Sequence, residues 1–188
     1  MPDSFRTFFA CDLPDDCRSL IFDIQRQIKQ TTADIKWVAP KNCHITLKFI
    51  GNIPHDTLVN IPTIFDPIFS TTGSLEFSLK GLGAFPSAIN PEIIWIGIND
   101  PKGMFAQWSH IINHQMASLG IKNELRPFIP HITIGRLRSK RSEESLSQII
   151  TLLQTPSLLF RINNITLFQS RLTNQQPEYT VLHRWALK

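Results

Sequence analysis

Two short stretches of this chain carry the side chains best suited to acid–base chemistry: His44-Ile45-Thr46-Leu47 and, 87 residues later, His131-Ile132-Thr133-Ile134. Each lies in a run rich in β-branched and apolar residues, Cys43 to Ile50 (CHITLKFI) and His131 to Leu137 (HITIGRL), which predicts a strand. Side chains alternate along a strand, so His44 and Thr46 share one face while Ile45 and Leu47 point into a core. The same holds for His131 and Thr133. If the two segments belong to related lobes, their polar faces meet across a cleft and set two imidazoles and two hydroxyls around one ligand. An imidazole has an unperturbed pKa of about 6.5 and serves as acid or base near neutrality. The plainer alternative is that each pair is the wetted face of a half-exposed strand, and the duplication in matching context argues against it.

The surrounding pattern supplies the elements that would position such a site. Arg6 to Leu13 predicts a strand, Pro14-Asp15-Asp16 a turn, and Leu20, Ile21, Ile24 and Ile28 a helix to about Gln30. Ile35 to Val38 reads as extended. Leu58, Ile61, Ile64, Phe65 and Ile68 predict a helix over Asp56 to Phe69, short or kinked because of Pro62 and Pro67. Leu75 to Leu82 and Ile93 to Ile98 predict strands around the loop GAFPSAINPE, and Phe105 to Leu119 a helix ending at Gly120. Leu146, Ile149, Ile150 and Leu153 mark a further helix, and Leu158–Ile162, Ile165–Ser170 and Tyr179–Ala186 three last strands. The order is mixed α+β without a glycine-rich phosphate loop.

Composition bounds the class. The 188 residues carry a net charge of +4, with 13 Phe and 4 Trp, which suits one folded domain over residues 1–188, not a disordered chain. The weakly basic balance lacks the Lys/Arg blocks of a nucleic-acid-coating protein. Cys11, Cys17 and Cys43 form no C-x-x-C pair, which suggests neither a disulfide framework nor a thiolate metal site and suits a reducing cytoplasm. Asp3, Arg6 and Asp12 interrupt the apolar N-terminus, and no run reaches the roughly 18 apolar residues of a membrane span, so no membrane partner is expected. His110 and His114 have zinc-binding spacing, but Ile111 replaces the glutamate of H-E-x-x-H and no third ligand follows; they read as helix-surface histidines.

The two motifs, with RTFFACDLP and WVAPKNCHITLKFIGNI around the first and GAFPSAINPEIIWIGI, RPFIPHITIGRL and LFQSRLTNQQPEYTVLHRWALK beyond it, resemble the two-histidine (2H) phosphoesterases. The likeness is greatest to the RNA 2′,3′-cyclic phosphodiesterases once named 2′-5′ RNA ligases. It implies two pseudo-symmetric α+β lobes, each with an antiparallel sheet and helices, facing each other across a central cleft with one His-x-Thr motif per lobe. It implies a monomer that needs no cofactor or metal and opens a 2′,3′-cyclic phosphate at an RNA end to a 2′-phosphate, with 2′-5′ joining as the reverse reaction. His44 would be the proton donor and His131 the acceptor. Thr46, Thr133 and Arg136 would hold the phosphate. A small cyclic nucleotide or 2′-5′ oligoadenylate is a sibling substrate, and a non-catalytic nucleotide- or RNA-binding module the alternative class.

Three expectations concern geometry. Strict alternation puts Arg136 on the wrong face, so its role needs a bulge, which Gly135 permits. Lys48 by the same alternation shares the face of His44, and Cys43 packs in the core. The cluster Arg136, Arg138, Lys140 and Arg141 offers a path for RNA backbone, and one ring among Phe5, Phe8, Phe9, Phe49, Phe85 and Trp95 offers a stacking surface.

Overall fold

The computed structural model describes residues 4–29, 34–138, 143–156, 158–174 and 176–188. The chain runs β1 (Phe5–Asp12), α1 (Asp15–Ile28), β2 (Ile35–Trp37), a 3-10 turn over Pro40–Asn42, β3 (His44–Ile53), α2 (His55–Phe69), β4 (Leu75–Pro86) and β5 (Pro91–Asn99). It continues through α3 (Met104–Ser118), β6 (His131–Leu137), α4 (Glu143–Leu152), β7 (Leu159–Ile162), β8 (Asn164–Arg171) and β9 (Glu178–Ala186).

The strands follow the order β7-β4-β5-β6-β3-β1-β8-β9, every neighbouring pair antiparallel. The two motif strands meet at the centre of this order. Their ladder is a single pair, Ile45 opposite Ile132, the residue after each histidine. On one side lie β3-β1-β8-β9, on the other β6-β5-β4-β7, so the sequence repeat becomes two four-stranded halves related about that one contact. The two halves exchange chain: β4 follows the first motif but pairs in the half of the second, and β8 returns to the half of the first.

One face of this sheet is covered by the helices. Ile45, Leu47, Ile132 and Ile134 join Ile21, Ile24 and Ile28 of α1, Ile61, Phe65 and Phe69 of α2, Phe105, Trp108 and Ile112 of α3, and Leu146 and Ile150 of α4 in a single core. Burying such side chains contributes about 1.5–3 kcal/mol each, which holds the helices to the sheet. The other face carries a small separate cluster, Phe8, Ala10 and Phe168 with Tyr179 against it.

Two local features add to the expectations. Residues His55–Phe69 form one helix that contains both Pro62 and Pro67. Its anchoring line, Ile61, Phe65 and Phe69, is fully buried, while Pro62 and Pro67 stand off that line. The packing of three large side chains outweighs the backbone bonds that the prolines remove. Among the termini, β4 runs past Leu82 to Pro86, because Leu82 to Phe85 keep pairing with β5 beyond a bulge at Gly81.

Candidate active site

Each histidine is fixed in the same way. His44 Nδ1 lies 2.7 Å from the carbonyl of Asn42, and His131 Nδ1 lies 2.7 Å from the carbonyl of Ile129. A carbonyl oxygen only accepts, so Nδ1 carries the hydrogen in both rings and Nε2 is the atom left for chemistry. The Asn42 carbonyl is held in turn, because the Asn42 side chain donates to the carbonyl of Pro177 at 3.0 Å. Both imidazoles are half-buried among aromatic rings. His44 has Phe8 at 4.9 Å and Tyr179 edge-on at 5.3 Å; His131 has Phe85 edge-on at 5.1 Å and Trp95 at 5.9 Å. The six-membered ring of the Trp95 indole packs against Gly83, where a Cβ would come within 2.2 Å of it.

Burial sets the proton affinity. His44 is pushed down to about 4, first by desolvation, against the pull of the Asn42 carbonyl and the Asp12 carboxylate; the Arg18 and His131 charges lower it further. His131 is lowered too, by desolvation, with its bond to Ile129 opposing. The halves differ here: Asp12 is opposite His44 across β1–β3, whereas Gly97 is opposite His131 across β5–β6. Asp12 is anchored by Arg184 at 2.8 Å and Thr166 at 3.2 Å.

A bulge follows each motif at its fourth residue. Phe9 pairs with Lys48 and Ala10 with Thr46, so Leu47 is the extra residue of β3. Ile94 pairs with Gly135 and Trp95 with Thr133, so Ile134 is the extra residue of β6. The carbonyls at the two bulges are both met by a helix of the other repeat. Ser109 of α3 donates to the Leu47 carbonyl at 2.7 Å, and the buried Gln25 of α1 donates to the Ile134 carbonyl at 2.9 Å.

The bulges decide which later side chains face the cleft. Gly97, Trp95 and Ile93 alternate onto one face of β5 and pair with His131, Thr133 and Arg136, so Arg136 joins the motif face. Asp12, Ala10 and Phe8 do the same for His44, Thr46 and Phe49. Lys48 is therefore not on the motif face, contrary to strict alternation. It is 6% exposed and turned toward α3, where its ammonium donates to Asn113 Oδ1 at 2.6 Å and the Lys122 carbonyl at 3.1 Å. Phe49 takes the place expected of Lys48, with 63% of its surface exposed and its ring 5.6 Å from that of Phe8.

The structure thus gathers His44, Thr46, His131, Thr133 and Arg136 on one concave face, with a cavity of about 720 Å³ beside His44 lined by Asp12, Lys41, Asn42, Phe168 and Tyr179 among others. Arg136 is close enough to Tyr179 to favour its phenolate, although burial raises that phenol more. Cys43 is buried, and His110 and His114 are exposed on α3, away from the motifs. Lys140 and Arg141 lie outside the described residues. Among the described residues no three His, Cys, Asp or Glu side chains gather where they would hold a metal ion. Sequence reasoning missed the parts played by Gln25 and Ser109; a buried glutamine on an apolar helix face was the available signal.

The model of the family described as LigT like phosphoesterase matches twice, over residues 12–95 and 96–179, one copy for each motif. The chain belongs to that family. Among curated relatives, the Methanothermobacter thermautotrophicus protein named RNA 2′,3′-cyclic phosphodiesterase is 30% identical over 176 residues, covering 93% of this chain and 95% of its own. The Escherichia coli protein of the same name is 27% identical and covers 100% and 99%. Among solved structures, Escherichia coli LigT complexed with 3′-AMP superposes with a TM-score of 0.80 at 26% identity over 98% of both chains. A Thermus thermophilus protein, TT0787, shares the fold at TM-score 0.80, 23% identity and 97% of each chain. The doubled family match divides the chain inside β5, so each LigT-like repeat contributes two helices and a motif strand, and residues of both repeats line the cavity beside His44.

Proposed function

We propose that this LigT-like phosphoesterase hydrolyses the 2′,3′-cyclic phosphate at RNA ends to a 2′-phosphate, without a metal ion or cofactor. The observation that carries the reading is the matched pair of imidazoles, each with Nδ1–H bonded to a backbone carbonyl and Nε2 left for the cleft. The names of the relatives at 27–30% identity support the substrate class.

In this reading water attacks phosphorus in line with the 3′ oxygen. His131 Nε2 takes the water proton as the new P–O bond forms, and His44 Nε2–H gives its proton to the 3′ oxygen as the old P–O bond breaks. The products are a 2′-phosphomonoester and a free 3′-hydroxyl. Thr46 and Thr133 donate to the non-bridging oxygens and Arg136 offsets their charge, which is where donors acquire most value in the transition state. With a 5′-hydroxyl as nucleophile in place of water, the same groups join RNA ends through a 2′-5′ bond: His131 takes the hydroxyl proton as P–O5′ forms, and His44 protonates the departing 3′ oxygen. Phe49, an exposed ring packed beside Phe8, is the surface on which a base would stack. The protein acts as a monomer in the cytoplasm, which its three free buried thiols suit. No helix among the described residues is long and apolar enough to cross a membrane.

The test is an EDTA-treated incubation with a short RNA ending in a 2′,3′-cyclic phosphate, with His44→Ala and His131→Ala alongside and the product isomer identified. A 2′-phosphate that vanishes in both variants is expected. A 3′-phosphate product overturns the assignment of the leaving oxygen; binding without turnover by the wild type makes the protein a nucleotide- or RNA-binding module. Loss of activity with EDTA, restored by a divalent ion, ends the metal-free reading.

A further inference from the structure

The far edge of β6, beyond its bulge, is paired with β2. The register sets Ile35 opposite Leu137, Lys36 opposite Arg136 and Trp37 opposite Gly135. Directly opposed residues of an antiparallel pair project from the same face, with Cβ atoms about 4.5–5.5 Å apart. Gly135 fixes which face is which. A Cβ on it would meet Ile35 Cγ2 at 2.6 Å and the Trp37 ring at 3.4 Å, so residues 35, 37 and 135 are on the helix side and Lys36 and Arg136 on the cleft side.

The next row of the same edge is ordinary. Arg138 is 3.9 Å from the carboxylate of Asp34, and its amide donates to the Asp34 carbonyl at 2.9 Å. The Lys36–Arg136 row is not: both side chains are exposed, and among the described residues no carboxylate lies within ion-pair distance of either. Like charges set directly opposite each other destabilise a strand pair. Two unpaired cations abreast, on the face that carries His131 and Thr133, form a place where an anion relieves the repulsion.

We propose that Lys36, beside Arg136, forms a second phosphate subsite, which takes the phosphodiester on the 5′ side of the terminal nucleotide. The proposal rests on the RNA-end reading above. Arg136 follows the motif along β6, and Lys36 stands beside it on β2, one strand spacing, about 4.8 Å, to the side. With the cyclic phosphate held by the motif residues, the next anion along a polynucleotide meets Lys36; a mononucleoside cyclic phosphate has no such group. The cleft then prefers the end of a chain to a free cyclic nucleotide.

The experiment compares kcat/KM on a mononucleoside 2′,3′-cyclic phosphate and on a dinucleotide ending in the same group, for wild type, Lys36→Met and Lys36→Arg. The wild type should favour the dinucleotide. In Lys36→Met that preference should fall about tenfold, through the dinucleotide alone, with Lys36→Arg restoring most of it. The salt dependence of the dinucleotide reaction should lose about 0.7 from its log–log slope, the share of one phosphate contact on a single strand. An equal loss on both substrates, or no loss on either, overturns the subsite. If the wild type opens neither substrate, the hydrolase reading fails by itself. The subsite is then judged by binding of labelled dinucleotide and mononucleotide 2′-phosphates, and only a dinucleotide-selective loss in Lys36→Met upholds it.

Discussion

Phe49 and Arg136 occupy the same place in the two halves of the fold. Each stands five residues after a motif histidine, each follows a one-residue bulge, and each is turned by that bulge onto the motif face. One half therefore offers an exposed ring and the other a guanidinium. A nucleotide end has both a π-face and a charge, so the internal symmetry supplies a frame and the difference between Phe49 and Arg136 gives the cleft a direction.

Phe49→Ala should weaken nucleotide substrates at the level of KM. Stacking of a base on an aromatic side chain contributes about 1–3 kcal/mol, so kcat/KM should fall roughly tenfold or more, with Phe49→Tyr close to wild type. Phe49 is exposed, so thermal stability should not change by more than about 0.5 kcal/mol. Steady-state kinetics on a cyclic-phosphate oligonucleotide check this; an unchanged KM means the ring contacts no base.

Gln25 holds the bulge that aims Arg136, and its effect should pass through Arg136. The Gln25 amide donates to the carbonyls of Val38 at 2.7 Å and Ile134 at 2.9 Å. Gln25→Met keeps the volume and removes both bonds, at a stability cost of about 1–3 kcal/mol. In the wild-type background kcat/KM should drop several-fold, and in an Arg136→Ala background the same change should cost almost nothing more. Additive losses in that cycle would show that Gln25 acts on the fold as a whole.

Much of this site was legible in the sequence because strand periodicity is a short-range rule. His44 with Thr46 and His131 with Thr133 follow from alternation over two residues, and the burial of Cys43 from the same rule. Lys48 was misplaced and Arg136 uncertain for one reason: each lies beyond the bulge, where a single extra residue reverses the face. The bulge is not a property of Leu47 or Ile134 as residues; it is sustained by Ser109 and Gln25, which reach them from helices 62 and 109 positions away in sequence. The crossing of β4 and β8 between the halves is likewise a long-range pairing that no local pattern carries. The helix through Pro62 and Pro67 shows tertiary burial prevailing over a local rule.

Burial of both imidazoles should shift the pH–rate profile toward acid. The active free enzyme carries one proton on the pair, on His44, with His131 neutral. With His44 at about 4 and His131 lowered from 6.5, kcat/KM should rise through about pH 4, peak below 6.5, and fall toward tenfold per unit above it. His44, the donor, is the less basic of the two in the free protein, so a phosphate monoanion in the cleft has to favour its imidazolium. Asp12→Asn removes the carboxylate that supports that imidazolium, while Arg18 stays beside it, and should move the acid limb to lower pH. A plateau of kcat/KM extending to pH 8 contradicts this order.

The same burial makes stability depend on pH with a defined sign. In the unfolded chain His44 titrates near 6.5, and in the folded protein at about 4, so between those values the unfolded state binds the extra proton. Stability contributed by neutral His44 is full above about pH 6.5 and is lost as pH falls toward 4, below which the folded state is protonated too. The full difference is on the order of 3 kcal/mol, at 1.36 kcal/mol per pKa unit. His131 adds to it in the same direction. Urea midpoints at closely spaced pH values should therefore decline through this window in the wild type and more gently in His44→Asn. Parallel curves for the two proteins would mean that His44 is protonated without penalty in the folded state, and that the aromatic cradle of Phe8 and Tyr179 does not exclude its charge.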